Sequence, residues 1–566
     1  MKKLLLAVAG IMVACTVSAQ SWNWAVSGGG RSNTEGYTSI ATDNAGNAYL
    51  CGDFEGTKSF GTTTLTAAGF GADGFIAKYN NSGVFQWAIQ ISGTGLTNFI
   101  EAAGITVDLA GNVYACMNFS STIIIGGNTY TNNAGNFDGM LLKCTSAGNI
   151  VWGLQIGGNG NERITQLSHY NGGLYLCGSH NTSFSVGSVT IAGPSSGNLD
   201  DAFLVKCDTT GNPLWAKNGG STFDDRALAV NAGPGGIYFG GYFTGSANFG
   251  GTTLVSGSVQ GQAQPDWFVV KLTESGTQLW AKDFGGSYGE QLTGISQTPF
   301  GSVYCIGNFY GTSSFGTGIT LTEFSPGGPA GNGDVFVCLI DALNGNCSWA
   351  RHIRCVNANN NETGNSISCD YGGSAYITGA FNANTTFANT ATQTGTTLTA
   401  TSGKDSYVAK YGITGNLLWV VKIGGSGNDV GKSIVWNPNG YCTTAGNFSS
   451  TITIAPGITI TSATTSSSYY IANYNGLTAS TEELSKDEYN MYPNPTSGML
   501  NISMRDKQLI DRIEIYSITG KLVLTETIGF SSDEMKLNLQ SLETGTYLIR
   551  LVTANGTGVE KIQVNK

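Results

Sequence analysis

Charge is scarce in this chain. Lysine, arginine, aspartate and glutamate make up 11% of its 566 residues, against roughly a quarter in ordinary soluble domains. The little charge present leans acidic, with 27 Lys and Arg against 37 Asp and Glu and a formal net charge of −10. No basic cluster occurs, so nucleic acid, whose binding rests on cations that neutralise phosphates, is excluded as a partner. Anionic membrane surfaces are disfavoured on the same ground. Histidine is scarcer still, being limited to His169, His180 and His352. None stands at ligand spacing such as His-x-x-x-His, and Cys-x-x-Cys is absent, so no metal site is expected. A serine or cysteine nucleophile would need one of these histidines as its base. His169 and His180 occupy positions that hold ordinary strand residues in other copies of a repeat described below. A helical period is missing beyond the first residues. So is any apolar run long enough to cross a bilayer, and no transmembrane segment is expected.

What the chain has instead is a period. Trp24, Trp87, Trp152, Trp215, Trp280, Trp349 and Trp419 follow one another at steps of 63, 65, 63, 65, 69 and 70 residues. A constant spacing of this size marks one supersecondary unit copied many times. Each copy holds a turn and strand of the type Asp43-Asn-Ala-Gly-Asn-Ala-Tyr49, echoed at Asp108–Phe119, Asp370–Phe381 and Asn437–Phe448. A Phe-Gly step follows, as at Phe60-Gly61 and Phe249-Gly250. Next comes an aspartate-led alternating run, as at Asp73–Lys78, Asp138–Lys143 and Asp405–Lys410, and the tryptophan segment closes the unit. Short alternating runs between Gly, Asn and Asp predict four strands per unit joined by tight turns. The 82 glycines thus serve turns, because apolar residues still make up 40% of the chain.

Seven such units predict an all-β fold, a seven-bladed β-propeller over residues 20–478, in which radial repetition leaves only short edges. The chain ends predict its closure. Trp22–Ser27 has no aspartate-led strand before it, and Ser468–Tyr474 has no tryptophan strand after it. Pairing them would complete a seventh blade and hide two strand edges. The Asp-x-x-Gly-Asn-x-Tyr turn, the Asp-x-Phe-x-x-Lys strand and the Trp-Ala strand together resemble the bacterial β-propeller repeat family called SBBP. The resemblance implies fold and almost nothing about activity.

Both ends carry an address. Met1-Lys2-Lys3, the apolar stretch Leu4–Val13 and Val17-Ser18-Ala19 make residues 1–19 a signal peptide cut between Ala19 and Gln20. Met12-Val-Ala-Cys15 approaches a lipobox only loosely. A polar stretch at 479–489 reads as a linker. Residues 490–566 then alternate with period two in several short strands, which predicts a small Ig-like β-sandwich. Pro493-Asn-Pro-Thr-Ser-Gly498 and Gly545-Thr-Tyr547, with the terminal Lys566, resemble the C-terminal sorting domain of type IX secretion cargo. That resemblance implies the type IX secretion machinery as partner of residues 490–566. It also implies a protein released outside the cell or held at its surface after passage through the periplasm.

The remaining constellations are weighed against the repeat. Of the twelve cysteines, Cys51, Cys116 and Cys177 share one repeat position, and Cys144 and Cys207 share another. Recurrence at matching sites is what small buried packing residues do. Cys338 with Cys347, and Cys355 with Cys369, are the candidates for bridging. Gly425–Ser433 lacks the glycine a phosphate loop requires, since position 426 is Ser426. One acid recurs in the glycine loop before each unit's first inner strand: Glu35, Glu162, Asp224, Glu290, Glu362 and Asp429, with Glu101 one place late. In a closed ring these seven would surround the axis and could gather a cationic ligand. Alternatively each caps amides of its own loop. No catalytic residue and no cofactor is expected. The reading is an exported, non-enzymatic binding or scaffold module for a glycan or a surface protein. A carboxylate-based hydrolase or lyase and a structural surface-layer component are its alternatives. Recognition is expected where loops vary most, at Val255–Pro265 and Leu321–Gly333.

Overall fold

Alternation translates directly into strands. In the computed structural model the run Asp138–Cys144 pairs antiparallel with Val113–Phe119 on one side and with Ile150–Gly158 on the other. Val113–Phe119 is buried at every residue, as a strand must be when neighbours cover both of its faces. The structure describes residues 21–28, 37–94, 98–132, 136–194, 199–286, 288–316, 318–323, 333–355, 362–389, 394–455, 457–462, 467–475, 488–505, 510–517, 522–527, 535–553 and 557–566. The expected signal peptide lies outside them, as does nearly all of the expected linker.

Seven four-stranded units are present. Their inner strands are Thr38–Thr42, Ile100–Val107, Glu162–Tyr170, Arg226–Gly233, Gln291–Gln297, Thr363–Cys369 and Val430–Trp436, here blades 1 to 7. Each inner strand touches the next, and that of blade 7 touches that of blade 1, so the ring is closed. Closure is made as the chain ends predict. Ser21–Gly28 is the outer strand of blade 7, antiparallel to Ser468–Asn475 from Ser21 opposite Asn475 to Gly28 opposite Tyr469.

One element was not foreseen. The Phe-Gly step is the tip of a hairpin inserted between the second and third strands of a blade. In blade 2 the hairpin Thr122–Ile125/Asn128–Thr131 pairs with the outer strand of blade 1, Thr122 lying opposite Thr94. Most sheets therefore hold six strands rather than four. The physical reason is the edge: an outer strand without a partner offers unpaired N–H and C=O groups, and the following blade's hairpin covers them.

Blade-to-blade packing explains the consensus residues. Trp87 on the outer strand of blade 1 donates its indole N–H to the Ser146 carbonyl, in a turn of blade 2, at 3.1 Å. Lys78 donates to the same oxygen at 3.1 Å, with its ammonium 4.9 Å from the Tyr49 ring centre. Tyr49 in turn donates to Asp43 at 3.1 Å. The arrangement recurs, Trp215 and Lys206 sharing the Glu274 carbonyl and Trp280 and Lys271 that of Ala342. The turn must bring glycine against the indole face. At Gly148, whose φ is 85°, a Cβ would stand 2.9 Å from the Trp87 ring.

The last strands form a separate pair of sheets, Tyr489–Tyr492 with Met499–Met504 and Met535–Asn538, and Ile510–Ser517 with Leu522–Thr527, Gly545–Thr553 and Thr557–Val564. Leu500, Ile502, Ile515, Leu537, Ile549, Leu551 and Ile562 fill the space between them. The Pro-Asn-Pro-Thr segment is pinned here: Asn494 donates to the Lys561 carbonyl at 2.8 Å and accepts from the Gln563 amide at 3.0 Å. Lys566 reaches back to the Gln540 carbonyl at 2.6 Å.

Two measurements probe this packing. Gly148→Ala should cost about 2–4 kcal/mol, combining the strain of a positive φ with displacement of the indole. Gly127→Ala, at a φ of 83° with nothing within 4 Å of the added carbon, should cost only about 1 kcal/mol. Equal losses in thermal denaturation would remove the indole contact from the account. Deleting Ser21–Gly28 should expose the Ser468–Asn475 edge and give a chain that melts early or aggregates. Melting at the full-length temperature would mean that closure contributes nothing.

Candidate functional site

Inner strands begin, and outer strands end, at one face of the ring, called here the loop face. A second marker locates the acids on it. The first inner-strand amide of a blade donates to the carbonyl just before the aspartate of the preceding blade's third strand: Ile100 to Ala72, Glu162 to Phe137, Asp225 to Asp200, Glu290 to Pro265 and Asp429 to Lys404. Glu362 falls at the same place, since Thr363 pairs with Ala380. Glu162, Glu290, Glu362 and Asp429 are thus equivalent. Asp224 is one residue early, and the equivalent residue of its blade is Asp225. Glu101 is one residue late, after Ile100. Glu35 lies outside the described residues. A one-residue slip turns a side chain to the other side of the strand, which separates these acids by environment. Asp225 is buried and Asp224 exposed. Glu101 pairs with Arg163, and both line a cavity of about 330 Å³ with Tyr37, Asn118 and Arg226 between the inner strands.

The equivalent acids bond to their own loops. Glu162 accepts from the Gly158 amide at 2.8 Å and from Thr182 at 3.1 Å. Asp225 accepts from the Ser221 and Thr244 amides, and Asp429 from the Gly425 and Ser449 amides at 2.8 and 3.3 Å. Glu362 accepts from Thr385 at 3.1 Å.

Sequence reasoning passed over their partners. The leading aspartate of each third strand is buried beside the acid of the next loop, giving Asp138 with Glu162, Asp201 with Asp225, Asp266 with Glu290, Asp334 with Glu362, and Asp405 with Asp429. The recurrence of that aspartate in six units was the available signal. The loop glycines make room for it. A Cβ on Gly157, Gly220, Gly285 or Gly424 would come within 2.3 Å of Asp138, Asp201, Asp266 or Asp405 respectively. An outer-strand side chain donates to the aspartate in most blades: Gln90 to Asp73 at 2.7 Å, His352 to Asp334 at 2.6 Å and Lys422 to Asp405 at 3.1 Å. Blade 4 breaks the pattern. Its residue at that place is Asp283, opposite Phe268 as His352 is opposite Phe336. A like charge thus replaces the donor beside Asp266.

Burial drives several of these carboxyls up. Asp138 rises to about 6 through loss of hydration and Asp225 to about 6 for the same reason. Asp201 reaches about 7 through burial and then the charge of Asp225, and Asp429 about 7 through burial. Burial and then the Asp266 charge push Glu290 well above the ordinary carboxylate range.

Above the irregular blade 4–5 junction lies a pocket of about 480 Å³. Phe223, Tyr242 and Tyr310 wall it, Glu290 and Gln291 stand in it, and Asp224 is at its margin. Pro265, the end of the long Val255–Pro265 connection, borders it. Most of the other long connection, 324–332, lies outside the described residues. The three histidines stand apart from the pocket. His169 stacks on Tyr114, His180 bonds the Thr182 carbonyl at 2.8 Å, and His352 bonds Asp334. Among the described residues no cluster of three or more His, Cys, Asp or Glu could hold a metal ion. Eleven cysteines are thiols. Cys355 ends an outer strand at the loop face while Cys369 ends an inner strand at the opposite one, so that pair is not brought together. Cys338 meets both Cys305 and Cys347 inside blade 5.

Residues 490–565 match the family described as "Secretion system C-terminal sorting domain". The chain therefore carries the mark of proteins exported by type IX secretion to the cell surface or beyond. No curated protein matches the chain. Among solved structures it is similar to a Dyadobacter fermentans protein of unknown function, at 9% identity and a TM-score of 0.35, over 81% of this chain and 99% of that one. It is also similar to the Pan2 WD40 domain of Neurospora crassa, at 9% identity and a TM-score of 0.36, over 77% and 89%. A third is a mutant of the NanB sialidase of Streptococcus pneumoniae, at 10% identity and a TM-score of 0.30, over 78% and 68%.

The raised carboxyls make stability depend on pH. In the unfolded chain they titrate near ~4, so between that value and the folded values of about 6 to 7 the native state holds protons the unfolded state has released. Stability therefore falls as pH rises through this window. His169 and His180, both lowered by burial, oppose the trend only below about 6.5, where the unfolded chain takes up their protons. Calorimetry should show the propeller's melting temperature falling between about pH 6.5 and 8, and the slope should flatten in Asp201→Asn/Asp429→Asn. A melting temperature that is constant or rising over that interval would mean the carboxyls are ionised in the fold.

Proposed function

We propose that this chain is an exported, non-enzymatic binding module that engages a glycan or a surface protein through its loop face, with the blade 4–5 pocket as the anchor. The observation that carries the reading is the break in symmetry. Four other junctions pair a buried third-strand aspartate with an acid of the next loop, while this one sets Asp283 at the outer-strand place that holds an amide, imidazole or ammonium in those blades and opens between three aromatic rings. Rings with a few convergent polar groups are the usual lining of a recognition site, and variable loops on a rigid scaffold are where recognition is carried. The likeness of the repeat to the SBBP family is compatible with this reading, since it implies only a scaffold.

One observation favours a second reading. Asp266 and Glu290 form a proton-holding carboxyl pair at the pocket, which is the equipment of acid–base hydrolysis. The same pairing recurs at junctions without such a pocket, where it serves the loop, and this weighs against catalysis.

Phe223→Ala/Tyr310→Ala should abolish retention of the secreted protein on its glycan or protein ligand, read by glycan array and by pull-down from the cell surface, while leaving the melting temperature within a few degrees of the parent. Unchanged capture by this variant would remove the pocket from the interaction. Hydrolysis of a glycan by the parent chain, lost in Glu290→Gln, would replace the binding reading with the enzymatic one. The address separates from the binding face: a chain ending at residue 483 should fold and collect in the periplasm of a type IX secreting host. Equal amounts of truncated and full-length protein outside the cell would overturn the export role of the final domain.

A further inference from the structure

The face opposite the loops is packed by a constant pair of side chains. Where a blade's second strand faces its third, tyrosine stands in six blades (Tyr49, Tyr114, Tyr175, Tyr238, Tyr304 and Tyr376). Its partner across the strands is Lys78, Lys143, Lys206, Lys271, Leu339 or Lys410. In four of these blades the lysine crosses over the ring and reaches a turn of the next blade. Blade 7 departs from the scheme. Its residues at the two places are Thr443 and Asn473, still in register. Its turn begins with Asn437 where blade 1 has Asp43, so the carboxylate is lost as well.

The lost volume remains as a pocket. Between blades 7 and 1, at the seam where the ring closes, lies a cavity of about 370 Å³ lined by Asn23, Asn81, Asn437, Asn439, Asn473 and Trp24. Its size lies in the range of roughly 300–1,000 Å³ usual for small-molecule sites. Removing lysine and aspartate together leaves no charged side chain among the described residues that line it. The amides are held in place. Asn473 donates to Thr443 at 2.9 Å and accepts from Asn23 at 2.6 Å, and Trp24 is fixed by its bond to the Asn81 carbonyl at 2.9 Å. Asn437 is 1% exposed and its oxygen accepts from the Asn439 amide at 3.1 Å. Its amide nitrogen is buried with no partner. A buried donor without an acceptor is destabilising, a cost that a ligand oxygen would remove.

We propose that this seam pocket binds a neutral polyhydroxylated ligand, a one- or two-residue saccharide end. Asparagine side chains each offer donors and acceptors, which match hydroxyl groups that are both. The Trp24 ring supplies an apolar face for ring carbons. The absence of charge disfavours phosphorylated, acidic or basic ligands, whose ionic groups would be desolvated without a counter-charge. The site is distinct from the blade 4–5 pocket and lies on the other face, so the two assignments stand or fall separately.

The test uses the mature full-length protein and a panel of neutral sugars: glucose, galactose, N-acetylglucosamine, maltose and cellobiose. Saturation-transfer NMR and tryptophan fluorescence should detect at least one of them. Thr443→Tyr/Asn473→Lys restores the filler pair of the other blades, so it should keep the melting temperature and lower affinity at least tenfold. Asn437→Ala should lower affinity at least threefold and leave loop-face binding unchanged. No response to any sugar in the parent would overturn the proposal. So would equal affinity in the filled variant.

Discussion

One contact holds the ring together: the indole of an outer strand lying on a glycine turn of the next blade and donating to that turn's carbonyl. Trp87 on Gly148, Trp215 on Gly276 and Trp280 on Gly345 are the same contact at different angles around the axis. Each depends on a left-handed glycine, because a Cβ would meet the ring near 3 Å. Each is reinforced by a lysine that shares the carbonyl and lies over a tyrosine. A polar bond buried under a large apolar ring combines specificity with burial, and repetition turns a modest interaction into a closed circle. In such arrays each repeat leans on its neighbours, so stability is cumulative and the ends are the weak points. Joining the two ends through Ser21–Gly28 removes that weakness.

The loop face carries a different and costlier arrangement. Paired carboxyls are buried at five junctions, and their hydration is only partly replaced, so Asp138, Asp201, Asp225 and Asp429 among them hold protons above the usual carboxylate range. Hydrogen bonds to the Gly158, Ser221 and Gly425 amides order the loops that turn from one blade into the next. This accounts for both the glycines and the acids of the repeat without invoking a ligand. Departures from the rule are therefore the informative places. Asp283 replaces a donor in blade 4, and Thr443 with Asn473 replaces a tyrosine–lysine pair in blade 7. Glu290, paired with the Asp266 that Asp283 crowds, lines the blade 4–5 pocket, and Asn473 lines the seam pocket.

Much of this was legible in the residues. Tryptophan spacing counted the blades, the unmatched strands at the two ends located the closure, and the Pro-Asn-Pro-Thr entry identified the sorting domain. The hairpins were not legible as strands, because Thr122–Ile125 and its equivalents are three to five residues long and find their partner in another blade. Among the acids, spacing placed Glu162, Glu290, Glu362 and Asp429 together and Glu101 one place late, but slipped by one at Asp224. Glycine loops of unequal length hide the register, which only the amide bonds to the preceding blade reveal.

By itself, then, the sequence determined the repeat, the strand order within a blade and the export address, because periodicity, turn glycines and terminal motifs are local properties of a chain. It also contained the substitutions at 283, 443 and 473. Tertiary structure decided what those substitutions mean. Whether a missing lysine leaves a gap depends on residues more than sixty positions apart, and whether two carboxyls fall side by side on residues 24 to 28 apart, meeting across a blade junction. Only the closed ring brings Asn23 and Asn81 against Asn437 and Asn473, four amides from the two ends of the propeller that no linear reading places in one cavity.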